Sequence, residues 1–496
     1  MMLNDLGKSD EPVVPKNVTN NLGVRTTSKA ESGEGRGEAE GNSQKQNRPR
    51  AQHRNWLQKA LERIRKAISR DKKMKLTNLW HHVCDVERLR EAYYELNPKS
   101  APGVDGVWGQ EYGKELEENL QGLSERLRSG KYRAKPVKRK YLEKPDGRQR
   151  PIGMPTLEEK IVQRASVEVM NVVYEGEFKG FSYGFRPGRS QHRALDALAV
   201  AVTAKRVNWV LDADIRGFFD TIDHRWLMEF IKHRINDKRL LRQIEQWLKA
   251  GVMEEGTLTR SQEGTPQGGS ISPLLSNIYL HYVLDLWVEQ WRKRNASGDV
   301  IIVRYADDFV MGFQHKSEAE KFLAELKERF AEFKLSLHPE KTRLIEFGRY
   351  AAERRERRKE GKPETFDFLG FTHICDRTKE NGQFIVLRQT IAKRMRAKLR
   401  EIKEELGERI NAEVGDTGAW LRSVVSGYYR YHAVPRNLPA MKSFYREVGR
   451  MWHAALGRRS HKAQIGWPRM YKIINRWIPP PRVAHPYPNQ RFGVMT

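Results

Sequence analysis

Residues 300–313 read Val-Ile-Ile-Val-Arg-Tyr-Ala-Asp-Asp-Phe-Val-Met-Gly-Phe, two apolar runs joined across a pair of acids. Short apolar runs interrupted by a polar break are strand-like, and two in succession predict a β-hairpin with Asp307 and Asp308 at its turn. A third strand-like piece, Trp209-Val-Leu211, leads into Asp212-Ala-Asp-Ile-Arg-Gly-Phe-Phe-Asp220. From Tyr141 to about Phe371 such pieces alternate with helical stretches without internal repeats, which predicts an α+β or α/β core.

Outward from this core the chain changes character. Residues 1–50 contain no aromatic residue and are rich in Gly, Ser, Asn, Glu, Lys and Arg, a composition that cannot bury enough apolar area to offset chain entropy, so residues 1–55 are expected to be a disordered leader. From Trp56, apolar residues recur at helical spacing among Lys and Arg, predicting a basic amphipathic helix that either lies along phosphate or covers a core. Further helices are expected over Asp85–Leu96 and Gln110–Ser129, around the turn-rich Ser100-Ala-Pro-Gly-Val-Asp-Gly106. The charged run 349–362 reads as a solvated helix or loop. Beyond Ile391 strand signals stop. Residues 391–478 carry 19 Lys or Arg against 7 Asp or Glu, interleaved with aromatics such as Trp420, Tyr445, Trp467 and Tyr471. Such a face suits RNA, although most of these rings read individually as helix core. Pro479-Pro-Pro481 should stop the last helix and leave residues 481–496 extended.

Across 496 residues, 91 Lys or Arg against 63 Asp or Glu leave a formal charge of +28. That field favours a polyanionic partner, nucleic acid first, over the alternative of a merely basic enzyme. Cys84 and Cys375 are the only cysteines, which excludes a disulfide framework and a cysteine zinc site. No run of 18 apolar residues and no signal peptide occurs, so a cytoplasmic protein without membrane partners is expected.

Carboxylates clustered at strand ends of a basic chain invite a cation, because packed like charges repel unless neutralised. Hard oxygens suit Mg²⁺, and a pair of such ions can activate a 3′-hydroxyl and stabilise a leaving pyrophosphate. That chemistry is nucleotidyl transfer. A bulky ring just past Asp214 would exclude a 2′-hydroxyl, making the product DNA.

At this point the residues carry a resemblance. Lys144-Pro-Asp-Gly-Arg-Gln-Arg-Pro-Ile-Gly-Met-Pro155, Phe181-Ser-Tyr-Gly-Phe-Arg-Pro187, Asp212 to Asp220, Gly264-Thr-Pro-Gln-Gly-Gly-Ser-Ile-Ser-Pro273, Tyr305-Ala-Asp-Asp308, His338-Pro-Glu-Lys-Thr342 and Phe366-Asp-Phe-Leu-Gly-Phe371 occur in this order. The series, over about residues 75–480, resembles the successive blocks of bacterial group II intron reverse transcriptases. The resemblance implies a right-hand polymerase, α+β in class, with fingers and palm over 56–390 and a helical thumb or maturase region over 391–480. It implies Asp214, Asp307 and Asp308 as catalytic residues around two Mg²⁺ ions, with the Ile215 carbonyl as a further ligand. Lys144 and Arg150 would meet the triphosphate, Gln267 would line the nucleotide pocket, and Phe219 or its neighbour Phe218 would be the sugar gate. Arg186 would contact template, and Lys341 would contact primer or phosphate, or serve a cap or the surface. Tyr183 and Phe185 are expected to pack, Asp220 to cap the helix that follows, and Asp223 to need no special role.

The implied partners are an RNA template, an intron RNA, a DNA primer or target, and deoxynucleoside triphosphates. Because no cysteine pairs follow the helical segment, the His-Asn-His endonuclease of many mobile intron proteins is not expected. The functions implied are RNA-directed DNA synthesis, in a cytoplasmic protein that joins the nucleoid when acting on DNA, together with help in splicing and retrohoming. A non-catalytic RNA-binding maturase and a domesticated enzyme of phage defence or repair stand as alternatives.

Overall fold

The computed structural model describes residues 47–143, 149–254, 257–259, 263–264, 268–459 and 465–492. Its strands are β1 (Val137–Glu143), β2 (Gln149–Met154), β3 (Trp209–Ala213), β4 (Val252–Glu254), β5 (Thr257–Thr259), β6 (Val300–Tyr305), β7 (Asp308–Phe313), β8 (Arg343–Glu346), β9 (Phe366–Phe368), β10 (Phe371–Arg377) and β11 (Phe384–Thr390). They form three sheets, ordered β2-β1-β4-β5, β6-β7-β3-β8 and β11-β10-β9. The second is antiparallel throughout and central to the protein.

The central strands carry apolar runs, Trp209–Leu211, Val300–Val303 and Phe309–Met311, that alternate between two covered faces of the sheet. Leu211, Ile302, Phe309 and Met311 point to one side, into a core shared with helices Leu157–Tyr174, Ser272–Leu280 and Lys316–Glu332. Val210, Ile301, Val303 and Val310 point to the other, against helix Gln191–Ala204 and the phenylalanines Phe366, Phe368 and Phe371. Consecutive residues therefore serve different cores, and a slip of one residue would exchange them.

Helices Ala392–Glu408, Val414–His432, Leu438–Gly457 and Trp467–Trp477 close around a core of their own. Phe444 and Trp452 are fully buried there, and Tyr428 stacks on Phe444 with centroids 3.8 Å apart. Trp467 and Tyr471 stay exposed on the outer face, among the exposed Arg469 and Lys472.

Several elements differ from the expectation. The N-terminal helix runs Asn47–Arg70, so it starts inside the expected leader, whose residues 1–46 lie outside the described residues. Helix Val86–Glu95 is as expected, capped by Asp85, which accepts from the Glu87 amide at 3.0 Å. The helix expected at 110–129 is broken into Gly109–Tyr112, a 3₁₀ turn and Leu116–Arg128. The charged run 349–362 is a short helix, Ala351–Arg357, but Arg354 and Arg358 are not merely solvated, because both pair with the buried Glu346.

The tail is not simply extended. It forms a short helix, Pro488–Phe492, that returns to helix Gln191–Ala204. Asp196 on that helix, 2% exposed, pairs with both Arg388 of β11 and Arg491 of the tail, and His485 stacks on His192 at 3.8 Å. One buried carboxylate thus ties together three parts of the chain distant in sequence. Asp196→Ala would strand Arg388 as a buried unpaired cation and should lower the unfolding free energy by about 3–5 kcal/mol. Chemical denaturation checks this, and a loss under about 1 kcal/mol would reduce the cluster to the rank of a surface pair.

Candidate active site

β3 ends at Ala213, paired with Phe309 of β7. Extending that register by one residue sets Asp214 opposite Asp308. Asp307 precedes Asp308 in the two-residue turn between β6 and β7, where Tyr305 pairs with Asp308 and Ala306 takes a positive φ of 56°. The three acids named from sequence therefore meet at one end of the central sheet. Residues just past Asp214 are held by a short antiparallel bridge between Ile215 and Leu337. There the Arg216 amide donates to the Ser336 carbonyl at 2.9 Å, and the His338 amide donates to the Asp214 carbonyl at 2.8 Å. Neither bond uses the carbonyl of Ile215.

The electrostatics are those of like charges held together. Burial, then the charges of Asp307 and Asp214, push the Asp308 carboxyl up to about 7, with Arg394 opposing; the side chain itself remains open to solvent on one side. Asp212 lies two residues before Asp214 and so on the same face of β3. It is pushed up to about 6 by burial, with Arg343 opposing at 3.6 Å and Asp367 and Asp214 adding. Lys341 donates to Asp214 at 2.5 Å, so an ammonium already neutralises that acid.

Among the described residues, no group of three or more His, Cys, Asp or Glu side chains is arranged to hold a metal ion. The donor chemistry nonetheless fits a hard cation, since three oxygen-bearing carboxylates repel one another here and one has already drawn in a lysine.

The remaining expected residues divide. Phe218 is 2% exposed within the main core, so its ring is unavailable as a gate, which removes the one-position alternative to Phe219. Phe219 is only partly buried against that core, edge-on to Phe218 at 5.5 Å. Arg186 is 6% exposed and already committed, bonding Glu175 at 3.0 Å and the Ser182 carbonyl at 2.7 Å. Its donors face inward, which corrects the expected template contact. Conversely, Phe185 is 54% exposed at a φ of 55°, its ring 6.1 Å from Tyr305, so it is no packing residue, whereas Tyr183 is buried. Asp220 lies inside a single helical turn, and Asp223 instead caps helix His224–Lys232, accepting from Trp226 at 2.9 Å while pairing with Lys334.

Lys144 and Gln267 lie outside the described residues; Arg150 is in β2, which antiparallel pairing holds against β1. The flanks of the Gln267 block are described and bridge two site elements. The Gly264 amide donates to Ile222 at 2.8 Å, just past Phe219, and Gly268 approaches β2 so closely that a Cβ would stand 2.3 Å from the Gly153 carbonyl. Asp212, Arg343 and Arg394 were not singled out from sequence. Period-two spacing to Asp214 was a usable signal for Asp212, while Arg394 was one cation among many.

Comparison with known proteins matches the stretch of chain that holds these acids. The family model for reverse transcriptase (RNA-dependent DNA polymerase) matches residues 142–373. Protein YkfC of Escherichia coli is 36% identical over 310 residues, covering 55% of this chain and 81% of that protein. Group II intron-encoded protein LtrA of Lactococcus lactis is 34% identical over 235 residues, 47% of this chain and 39% of that one. The putative COX1/OXI3 intron 1 protein of Saccharomyces cerevisiae is 29% identical over 45% of this chain and 26% of its own length. The chain thus spans most of the first relative and well under half of the other two. No helix among the described residues is long and apolar enough to cross a membrane. These matches establish that the chain belongs to the reverse transcriptases, RNA-dependent DNA polymerases, and that it is similar to group II intron-encoded members of that family.

Proposed function

We propose that this chain copies RNA into DNA by nucleotidyl transfer at Asp214, Asp307 and Asp308, with Mg²⁺ held by those carboxylates and the Ile215 carbonyl. The observation that supports this most is the β3–β7 register, which sets Asp214 opposite Asp308 beside the turn carrying Asp307. Bound Mg²⁺ supplies the Lewis acid that favours ionisation of a primer 3′-hydroxyl and offsets charge on departing pyrophosphate. The protein's own groups do the rest. Lys341 must yield Asp214 and is then free to meet phosphate. Lys144 and Arg150 neutralise the triphosphate, Gln267 lines the pocket and Phe219 excludes a 2′-hydroxyl. In this reading residues 56–390 are fingers and palm, and 391–480 are the thumb.

The nucleic-acid partners follow from the same assignment: an RNA template, a DNA primer or target, and an intron RNA whose splicing and retrohoming the protein assists. The exposed Trp467, stacked on His453 at 4.3 Å, and Tyr471 beside Arg469 and Lys472 offer stacking faces and phosphate contacts for that RNA.

Four outcomes test this. Asp307→Ala should reduce Mg²⁺-dependent extension of a DNA primer on an RNA template by at least about 100-fold, the scale of losing one preorganised charge. RNA affinity should hold, and a parallel loss of affinity would make the acids structural; in the same assay Phe219→Ala should admit ribonucleotides. Lys341→Met, by removing a competitor for Asp214, should tighten Mg²⁺ binding about two- to fivefold in calorimetry without nucleic acid, the worth of one exposed ion pair; weaker binding would assign Lys341 a different place. Replacing Arg469 and Lys472 by alanine should flatten the salt dependence of RNA binding, lowering the log–log slope by about 1.4 to 1.8. An unchanged slope removes that face from the RNA interface.

A further inference from the structure

Beneath the acid-bearing turn lies a charged pair that the chemistry above does not use. Arg304 and Asp285 are both fully buried. A guanidinium has five N–H donors, and every one of them is taken. Nε donates to Asp285 Oδ1 at 2.8 Å, and Nη2 to Asp285 Oδ2 at 2.6 Å and to Ser182 Oγ at 2.8 Å. Nη1 donates to Asn277 Oδ1 at 3.0 Å and to the Ala306 carbonyl at 2.9 Å. Asp285 itself sits in a five-residue π-helical segment, His281–Asp285, inserted between two α-helices. Such segments are rare and recur near functional sites, because the extra residue re-aims the side chains that follow.

Three of the guanidinium's partners, Ala306, Asn277 and Ser182, belong to one peptide or to the segments beside it. Ala306 lies between Tyr305 and Asp307 and adopts a positive φ of 56°, a conformation a non-glycine residue keeps only when its surroundings impose it. Arg304 holds its carbonyl. On its amide side stands Gly184, where a Cβ would come within 2.3 Å of the Ala306 nitrogen, and Asn277 fixes Gly184 by donating to its carbonyl at 2.7 Å. The backbone of Arg304 also pairs with that neighbouring segment, accepting from the Tyr183 amide at 2.8 Å and donating to the Phe181 carbonyl at 2.9 Å. An ion pair serving only the core would need Asp285 alone. Here the other three donors reach the turn and the two segments that clasp it.

We infer that Arg304, locked by Asp285, is a positioning residue that sets the backbone of the Ala306–Asp308 turn and so aims the two carboxylates. This rests on the proposed role of Asp307 and Asp308. Arg304→Lys keeps the charge and can pair with Asp285, but one ammonium cannot span from that carboxylate to the Ala306 carbonyl with a rigid fork.

The experiment compares wild type, Arg304→Lys, Asn277→Ala and Asp307→Ala by primer extension, template–primer binding and backbone amide exchange. For Arg304→Lys, kcat should fall about 100-fold with KM for the nucleotide and template–primer affinity within about threefold of wild type, as for misplaced catalytic groups on an intact binding surface. Half-saturating Mg²⁺ should rise. The amides of Asp307, Asp308 and Phe309 should exchange at least about tenfold faster, those of β3 and β8 at the wild-type rate, because only the turn has lost its anchor. Asn277→Ala should show the same pattern more weakly. Wild-type kcat with unchanged exchange in Arg304→Lys overturns the inference. So does a uniform loss of protection across the central sheet, which would make the pair a core ion pair only. If wild type and Asp307→Ala are alike inactive, the polymerase reading fails instead, and the exchange pattern still decides whether Arg304 holds the turn.

Discussion

Three carboxylates have to be kept near one another against their own repulsion, and the central sheet is built around that requirement. Asp307 ends a two-residue turn and Asp308 begins the strand after it, so the two acids are adjacent in the chain, and the β3–β7 register brings Asp214 alongside. The strain is visible in Asp308, whose carboxyl is pushed up to about 7 by burial and by the other two charges. A pliable support would relax by letting the acids drift apart. This one resists because its strands are buried on both faces, so that Phe309, Val310 and Met311 alternate between two packed cores and none can shift alone.

The cations near the acids belong to different elements from the acids themselves. Lys341 and Arg343 follow the His338 segment, and Arg394 lies in helix Ala392–Glu408. This division suits a site that handles a polyanion. Carboxylates on the sheet stay put, while ammonium and guanidinium groups on long side chains can exchange an internal partner for a phosphate. The overall charge of +28 extends the same preference over the whole surface.

Beyond the sheet the chain builds a second unit with its own core from its C-terminal helices and fastens it by polar contacts as well as by the apolar cluster of Val434 and Tyr431 with Phe368 and Phe371. The Tyr431 hydroxyl donates to the Leu369 carbonyl at 2.8 Å, Asn437 donates to Thr390 Oγ1 at 2.8 Å, and the tail closes on Asp196. These contacts are directional, so they define an orientation between the helical unit and the sheet that apolar packing alone would leave less specific.

What the sequence determined by itself is what depends on near neighbours in the chain. The hairpin at 300–313, the strand before Asp214, helix Val86–Glu95 with its Asp85 cap and the helical character beyond Ile391 follow from local patterns, since periodicity and capping act within a few residues. The ordered blocks likewise named Asp214, Asp307 and Asp308 without any knowledge of their distances. Tertiary structure alone decided which side of each residue meets which partner. Strands β10 and β11, the return of the tail to Asp196, the inward commitment of Arg186, the burial of Phe218 beside a half-exposed Phe219, and the exposure of Phe185 all turn on contacts between segments far apart in sequence. Arg304 is the clearest case. As the fifth residue of an apolar strand it reads as an interruption, and only the folded chain brings Asp285, Asn277, Ser182 and Ala306 to its five donors, because a buried guanidinium is stable only where every N–H finds an acceptor.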